Sequence, residues 1–223
     1  MCGKFSQLAS WREVVDFSQP LADDALGGGE EEESTPMRGA TVIHLNEERR
    51  RIATRMRWGW SKAGPADMYQ RPDFIHARAE TIDRLPTFRD AFALRRGILV
   101  VRTFNAGEKL ASGKTRQHVI TPRNKQPIAI AVLWKVDARE DGPSYSFVMV
   151  TVSANKLIGT ITDRMPAILQ PDNWPEWLGE EQSSAEELKA LLLPYEGDWD
   201  MATQEKTSTK TRKTQPSQRP QGV

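Results

Sequence analysis

The chain has 223 residues, of which 38% are hydrophobic and 27% charged, enough for one domain with a substantial core. Lysine plus arginine (31) nearly balance aspartate plus glutamate (30), so a net charge of +1 excludes whole-molecule attraction to nucleic acid, and any electrostatic face must come from local segregation of charge. A single cysteine, Cys2, excludes an internal disulfide framework or a thiolate zinc cluster and points to a reducing compartment; no apolar run reaches membrane-span length and no signal-peptide pattern follows Met1, so a soluble, cytoplasmic protein is expected.

In chain order, Ser10 and Glu13 form a capping box, and Trp11, Val14 and Val15 give a short helix one apolar stripe. Asp23 to Pro36, DDALGGGEEEESTP, has little to bury and reads as an exposed acidic loop. Its GGGE lacks the Lys-Ser/Thr ending and strand-to-helix setting of a phosphate loop. Glu47 to Arg57 gathers Arg49, Arg50, Arg51, Arg55 and Arg57 just ahead of Trp58, Gly59 and Trp60, so positive charge and aromatic faces sit side by side. Those arginines fit either a phosphate-binding stripe or a solvated face answering Glu30 to Glu33. The tryptophans fit either a stacking surface or the core, because alternate strand positions share a face.

Pro86 opens a second helix, TFRDAFALRR, with Phe88 and Phe92 one turn apart. GILVVRTF, PIAIAVLWKV and YSFVMVTV read as strands, being rich in β-branched and aromatic residues. In the second, Ile128, Ile130, Val132, Trp134 and Val136 alternate with their neighbours and predict a single bulky face. Ser183 and Glu186 form a capping box for a last helix, Ser183 to Leu193, stopped by Pro194. From about Met201 the chain is rich in Thr, Gln, Lys and Pro, which predicts a disordered basic tail over 201–223 after a domain spanning 1–200. The fold class expected is α+β: a single domain with a curved, largely antiparallel, barrel-like sheet decorated by helices. Histidines at 44, 76 and 118 show no metal-ligand spacing, so neither a metal nor another cofactor is expected.

Cys2 raises a chemical question. If Met1 is removed, Cys2 carries an amine and a thiol on adjacent carbons, with reference pKa values of about 7.7 to 8.0 and about 8.5. Amine attack on an aldehyde gives an imine, and thiol attack on the imine closes a five-membered thiazolidine. The open-chain form of an abasic site in DNA is such an aldehyde. The alternative is an incidental small residue at a loose chain end.

The segments MCGKF, MRWGW at Met56 to Trp60, HARAET at His76 to Thr81 and ITDRMPAIL at Ile161 to Leu169 occur in one order, and together they resemble the SRAP (SOS-response-associated peptidase) family of abasic-site-processing proteins over roughly Met1 to Gly179. The resemblance implies a single mixed α and β domain around a curved sheet. It implies removal of Met1, autocatalytic or assisted, and covalent capture of abasic sites in single-stranded DNA by Cys2, a self-processing peptidase with lyase-like crosslinking chemistry in the DNA damage response. The protein would be a monomer, without membrane or metal, cytoplasmic and nucleoid-associated when on DNA.

Position by position, Cys2 matches the nucleophile, Lys4 stands where arginine is common, and Arg78 and Arg164 match the arginines of NARAET and HDRMP. Either arginine could instead be a buried ion-pair partner. Trp58 matches the RWG tryptophan, and Trp60 would extend its surface. The resemblance thus implies DNA contacts at Lys4, Trp58, Arg78 and Arg164, and one is expected too at Trp60, which stands where the family usually has an aliphatic residue. His76, Ala106 and Thr162 stand where the family has Asn, Glu and His, and losing general acid-base assistance typically costs about a hundred- to ten-thousand-fold in rate. Replacements are at hand in His76, and in Glu108, which on an extended strand faces the same side as Ala106. An alternative function is noncovalent binding of single-stranded or damaged DNA by a catalytically weakened member.

Overall fold

A computed structural model describes residues 3–7, 32–62, 71–140 and 142–203. Along the chain come β1 (Phe5–Gln7), β2 (Glu32–Ser34), β3 (Gly39–Leu45), β4 (Arg51–Trp58), β5 (His76–Arg78), α1 (Pro86–Leu94), β6 (Arg96–Val101), β7 (Thr103–Lys109) and β8 (Thr115–Pro122). They are followed by β9 (Ile128–Asp137), β10 (Ser144–Ser153), β11 (Arg164–Pro166), β12 (Ile168–Leu169), α2 (Trp174–Leu178), α3 (Ala185–Ala190) and β13 (Trp199–Thr203).

Five strands close on themselves: β10, β4, β3, β6 and β9 pair in that order, and β9 returns to β10 through Val136↔Tyr145 and Leu133↔Val148. All of these pairings are antiparallel except β10 with β4. Closure explains why β9 departs from the expected single bulky face. Ile128 to Leu133 are buried without interruption, because one face fills the barrel and α1 covers the other, so both lie in apolar surroundings.

The second sheet has the order β13-β8-β7-β1-β2. GILVVRTF, expected as one strand, is divided at Arg102: β6 belongs to the barrel and β7 to the second sheet. The Arg102 amide leaves the ladder to bond the Ser6 carbonyl at 3.1 Å, which lets the chain change sheets there. The acidic stretch is likewise not all loop. Glu32–Ser34 pairs with β1, and Ser34 is buried; the rest of that stretch up to Glu31, with the expected helix at Ser10 to Val15, lies outside the described residues. At the other end β13 runs to Thr203, three residues past the expected boundary at 200, because Met201 and Thr203 pair with Ile120 and His118 of β8; residues 204–223 lie outside the described residues.

Helix α1 begins at Pro86 as expected, in the position where a missing amide costs nothing, and buries Phe88 and Phe92. Its last carbonyls are held by Arg96, whose Nη1 donates to Phe92 O at 2.7 Å and to Ala93 O at 2.6 Å, while its Nε reaches Trp177 O in α2. Helix α3 is shorter than expected and its capping box lies one residue further on: Ser184 Oγ accepts from the Glu187 amide, and Glu187 Oε2 accepts from the Ser184 amide at 2.7 Å. That register turns Leu188 into the core.

The two sheets meet on aromatic rings. Phe5 of β1 lies 5.0 Å from Trp58 of β4, and Trp58 stacks on Phe147 of β10 at 6.3 Å. Trp58 is fully buried and its Nε1 donates to Ile75 O at 2.9 Å; Trp60, 2% exposed, packs against Phe88. The expectation of a base-stacking surface at Trp58 and Trp60 is therefore corrected: neither ring has a free face for a base. The Gly59 between them has φ +119°, and a Cβ there would lie 2.5 Å from Pro72 Cβ, so the glycine of WGW lets Pro72 pack directly against the backbone.

Truncating Trp58 to alanine is expected to cost about 3–5 kcal/mol, as for other buried aromatic residues. For a chain of this length each kcal/mol is worth about 2–4 °C, so the thermal midpoint falls by roughly 10 °C. Trp58→Phe, which keeps most of the ring contact, loses much less. An unchanged melting curve for Trp58→Ala would place the ring outside the core.

Candidate functional site

Strand β1 sits inside its sheet, bonded to β2 on one side and β7 on the other. Phe5 pairs with Phe104 and the Asn105 amide donates to Lys4 O at 2.8 Å, so the same register sets Gly3 beside Ala106. Cys2 itself lies outside the described residues. Lys4 is half-buried and, by alternation, points to the face opposite Phe5.

The face carrying Phe5 continues across the sheet. Phe104 and Ala106 on β7 are buried, and Glu108 follows them on the same side, as the spacing predicts. Antiparallel pairing sets Ala106 opposite His118 and Glu108 opposite Arg116. The diagonal neighbours meet as well: His118 Nε2 lies 2.8 Å from Glu108 Oε2, and Arg116 Nη1 donates to the same oxygen at 3.3 Å. His118 is 6% exposed, whereas the Glu108 side chain is about a quarter exposed. The His118 hydrogen bond, reinforced by Arg116, holds the Glu108 carboxyl below its usual range, so at neutral pH it is a carboxylate.

The HARAET strand lies on the barrel. β5 runs parallel to β10, pairing His76 with Met149 and Arg78 with Thr151. Ala77 and Ala79 are buried, so these positions take a small side chain, while Arg78 is exposed. His76 and Arg78, two residues apart, project to the same side of the strand. The His76 ring meets Trp58 edge-on at 6.1 Å, so contact passes from His76 through Trp58 to Phe5. Beside the start of β5 a cavity of about 580 Å3 opens between Pro36, Met37, Arg71, Pro72, Asp73 and Ile75.

Arg164 does not stand free as a phosphate contact. Its guanidinium is about nine-tenths buried and grips Glu80 through both Nη atoms, the longer contact 2.9 Å, while Nη2 also donates to Thr151 O at 2.6 Å. The hydrogen bond from Arg164 keeps the Glu80 carboxyl below its usual range, with Arg78 adding a smaller electrostatic pull. The glutamate of HARAET and the arginine of TDRMP thus clasp two motifs together, so the arginine expected to contact DNA is engaged with Glu80 and Thr151 in the protein alone. Thr162 Oγ1 lies 3.5 Å from Asp163 Oδ1, the long limit of a hydrogen bond.

The arginine run is also divided. Arg51 is buried and forks onto Glu180 at 2.6 and 2.7 Å, and Arg49, with φ +61°, donates to the carbonyls of Gly179 and Glu180 at the end of α2. Arg55 is exposed and Arg57 half-buried. His44 is buried with Nδ1 near Leu45 O and Nε2 near Thr54 Oγ1, both 2.9 Å, and burial lowers its pKa. Among the described residues no group of three or more His, Cys, Asp and Glu is placed to hold a metal ion. His118 was not singled out by sequence reasoning. The signal lay in the hairpin: Gly113, at φ +76°, lets Leu110 to Lys114 turn, and counting outward from that turn brings 108 to 116 and 106 to 118.

Comparison with known proteins agrees with this architecture. The chain is 30% identical over 202 residues to the abasic site processing protein YoaM of Bacillus subtilis, covering 89% of this chain and 88% of that one. It is 24% identical over 194 residues to the abasic site processing protein YedK of Escherichia coli, covering 83% of each. Among solved structures, a protein from Bacteroides thetaiotaomicron superposes with a TM-score of 0.73 at 18% identity, covering 91% of this chain and 92% of that one. One from Bordetella bronchiseptica does so with 0.72 at 23%, covering 92% of this chain and all of the other. The family model for SOS response associated peptidase (SRAP) matches residues 1–210, and the chain belongs to that family.

Proposed function

We propose that this protein recognises abasic sites in single-stranded DNA and bonds to them covalently through Cys2 after Met1 is removed. The observation that carries the reading is the register of β1 on β7, which sets Gly3, the residue after Cys2, beside Ala106. Family membership and the names of the relatives support the lesion as substrate.

The chemistry follows from the residues. Hydrolysis of the Met1–Cys2 bond, autocatalytic or assisted, consumes one water and frees the Cys2 amine. The amine attacks C1′ of the ring-opened sugar, the carbinolamine loses water, and the Cys2 thiol closes a thiazolidine on the resulting iminium carbon. Capture releases one water, and the amine and thiol each lose one proton. Glu108, a carboxylate two residues beyond Ala106 on β7, is the candidate proton acceptor. Arg78 holds a backbone phosphate, Lys4 gives a second contact from the other face of β1, and His76 beside Arg78 meets the adjacent sugar. The cavity next to β5, with Arg71 at its rim, gives the strand room to pass. Noncovalent binding by a weakened member is the competing reading, favoured by Thr162 and Ala106 in place of the family's polar residues.

The two readings separate on a denaturing gel with an oligonucleotide carrying one abasic site. The expected result is a heat-stable shifted band with the wild type and none with Cys2→Ser, together with an intact mass that lacks Met1. A mass retaining Met1, or salt-sensitive binding with no stable band, contradicts covalent capture.

Arg78→Ala is expected to weaken binding to single-stranded DNA of any sequence and to flatten the dependence of log affinity on log salt by about 0.7, one phosphate contact. Fluorescence anisotropy across a salt series reads this directly. An unchanged slope removes Arg78 from the interface.

A further inference from the structure

A second cavity, of about 630 Å3, opens between the turn joining β8 to β9, the segment after β12 and the loop before β13. Its floor is apolar: Ile128 of β9 and Ile168 and Leu169 of β12 line it and are buried. Hydrogen bonds fix its frame. The Arg123 amide donates to Asp198 O at 3.0 Å, and Asn155 Nδ2 donates to Tyr195 O at 2.8 Å. Lys125, at φ +57°, turns the chain so that the Gln126 amide reaches Asn124 Oδ1 at 3.0 Å. Tyr195 forms a wall, its ring edge-on to Trp199 at 5.6 Å.

This cavity shares a sheet face with Arg78. Residues paired across a sheet project to the same side, and His76 pairs with Met149, Met149 with Val132, and Ile130 with Ile168. By alternation, Arg78 stands on the side of His76 along β5, and Ile130 and Ile128 stand on the side of Val132 along β9. Ile128 and Ile168 of the floor therefore lie on the face that carries Arg78. They lie at the same end of the barrel as well: Arg78 pairs with Thr151, Thr151 pairs with Pro166, and Ile168 follows two residues later. With neighbouring strands about 4.8 Å apart, Arg78 and Pro166 are roughly 10 Å from each other.

The rim selects the chemistry of the occupant. Arg123 is paired with Asp200 at 3.2 Å and Asp198 adds a carboxylate, so an anion finds no net attraction there. What the rim offers is amides: the side chains of Gln126 and Gln170 are exposed and have no partner among the described residues. An amide presents a donor and an acceptor side by side, which matches the edge of a nucleobase, and the Asp198 carboxylate accepts from an exocyclic amine. The Tyr195 phenol and the aliphatic floor supply faces for a planar ring. We propose that this cavity receives a nucleobase of the single strand that Arg78 holds, from a nucleotide some way along the strand from the lesion. The proposal rests on the reading of the function given above, and it extends the interface from the lesion to a neighbouring base.

The test is a base-deletion scan read by fluorescence anisotropy. The single-stranded oligonucleotide carries one tetrahydrofuran, a lesion analogue with no aldehyde and so no covalent reaction, and a second base is removed at each neighbouring position in turn. Stacking of one base is worth about tenfold in affinity, so the wild type is expected to show one dip of that depth, at a single position to one side of the lesion. Tyr195→Ala, and separately the rim variant Gln126→Ala/Gln170→Ala, are expected to flatten the dip to about threefold or less, because the contacts of that base are already lost. No dip in the wild type, or full depth retained in either variant, overturns the base subsite and leaves the Arg78 contact standing. A wild type that does not bind single-stranded DNA overturns the reading of the function as well. If Tyr195→Ala does not fold, as judged by its melting curve, the rim variant decides alone, since both of its side chains are exposed.

Discussion

The three residues of β1, held between β2 and β7, are the constraint on which the rest of the structure depends. Chain ends are usually loose unless they are tied into a sheet, and here the tie begins within five residues of Met1. It is backbone pairing on both sides, locked by a fully buried Phe5 against Trp58. The same ring contact joins the barrel to the second sheet, so the position of the first residues and the packing of the two sheets are one problem. Residues 3–7, which follow Cys2 directly, are thus fixed by the same packing that joins the two sheets.

Much of this architecture was legible in the sequence. Pro86 and the Phe88–Phe92 pair set α1, and the β-branched runs set β9 and β10. What was not legible depended on long-range pairing. Nothing local in GILVVRTF marks Arg102 as the point where the chain changes sheets, since the cause is a bond to Ser6 nearly a hundred residues earlier in the chain. The last helix was placed one residue early because Ser183 and Ser184 each have a glutamate three residues on, and only the burial of Leu188 decides between them.

The site divides along the same line. Alternation correctly placed Glu108 on the side of Ala106, a local property of strand geometry. Motif arginines and tryptophans were harder, because a sequence shows residue type and not exposure: Arg164 is paired with Glu80, Trp58 and Trp60 are buried in the core, and Arg49 and Arg51 bond the end of α2. Arg78 alone of the two motif arginines is exposed. His118 was passed over for want of metal-ligand spacing, although its partner is a carboxylate across a hairpin.

The most direct test of the account is the identity of the bonded residue. After reaction with an abasic oligonucleotide, nuclease and trypsin digestion followed by tandem mass spectrometry should yield the peptide Cys2-Gly3-Lys4 carrying the opened sugar less one water, with both the amine and the thiol of Cys2 blocked. An adduct on a lysine or arginine elsewhere, or a Cys2 peptide that remains unmodified and still bears Met1, would contradict it.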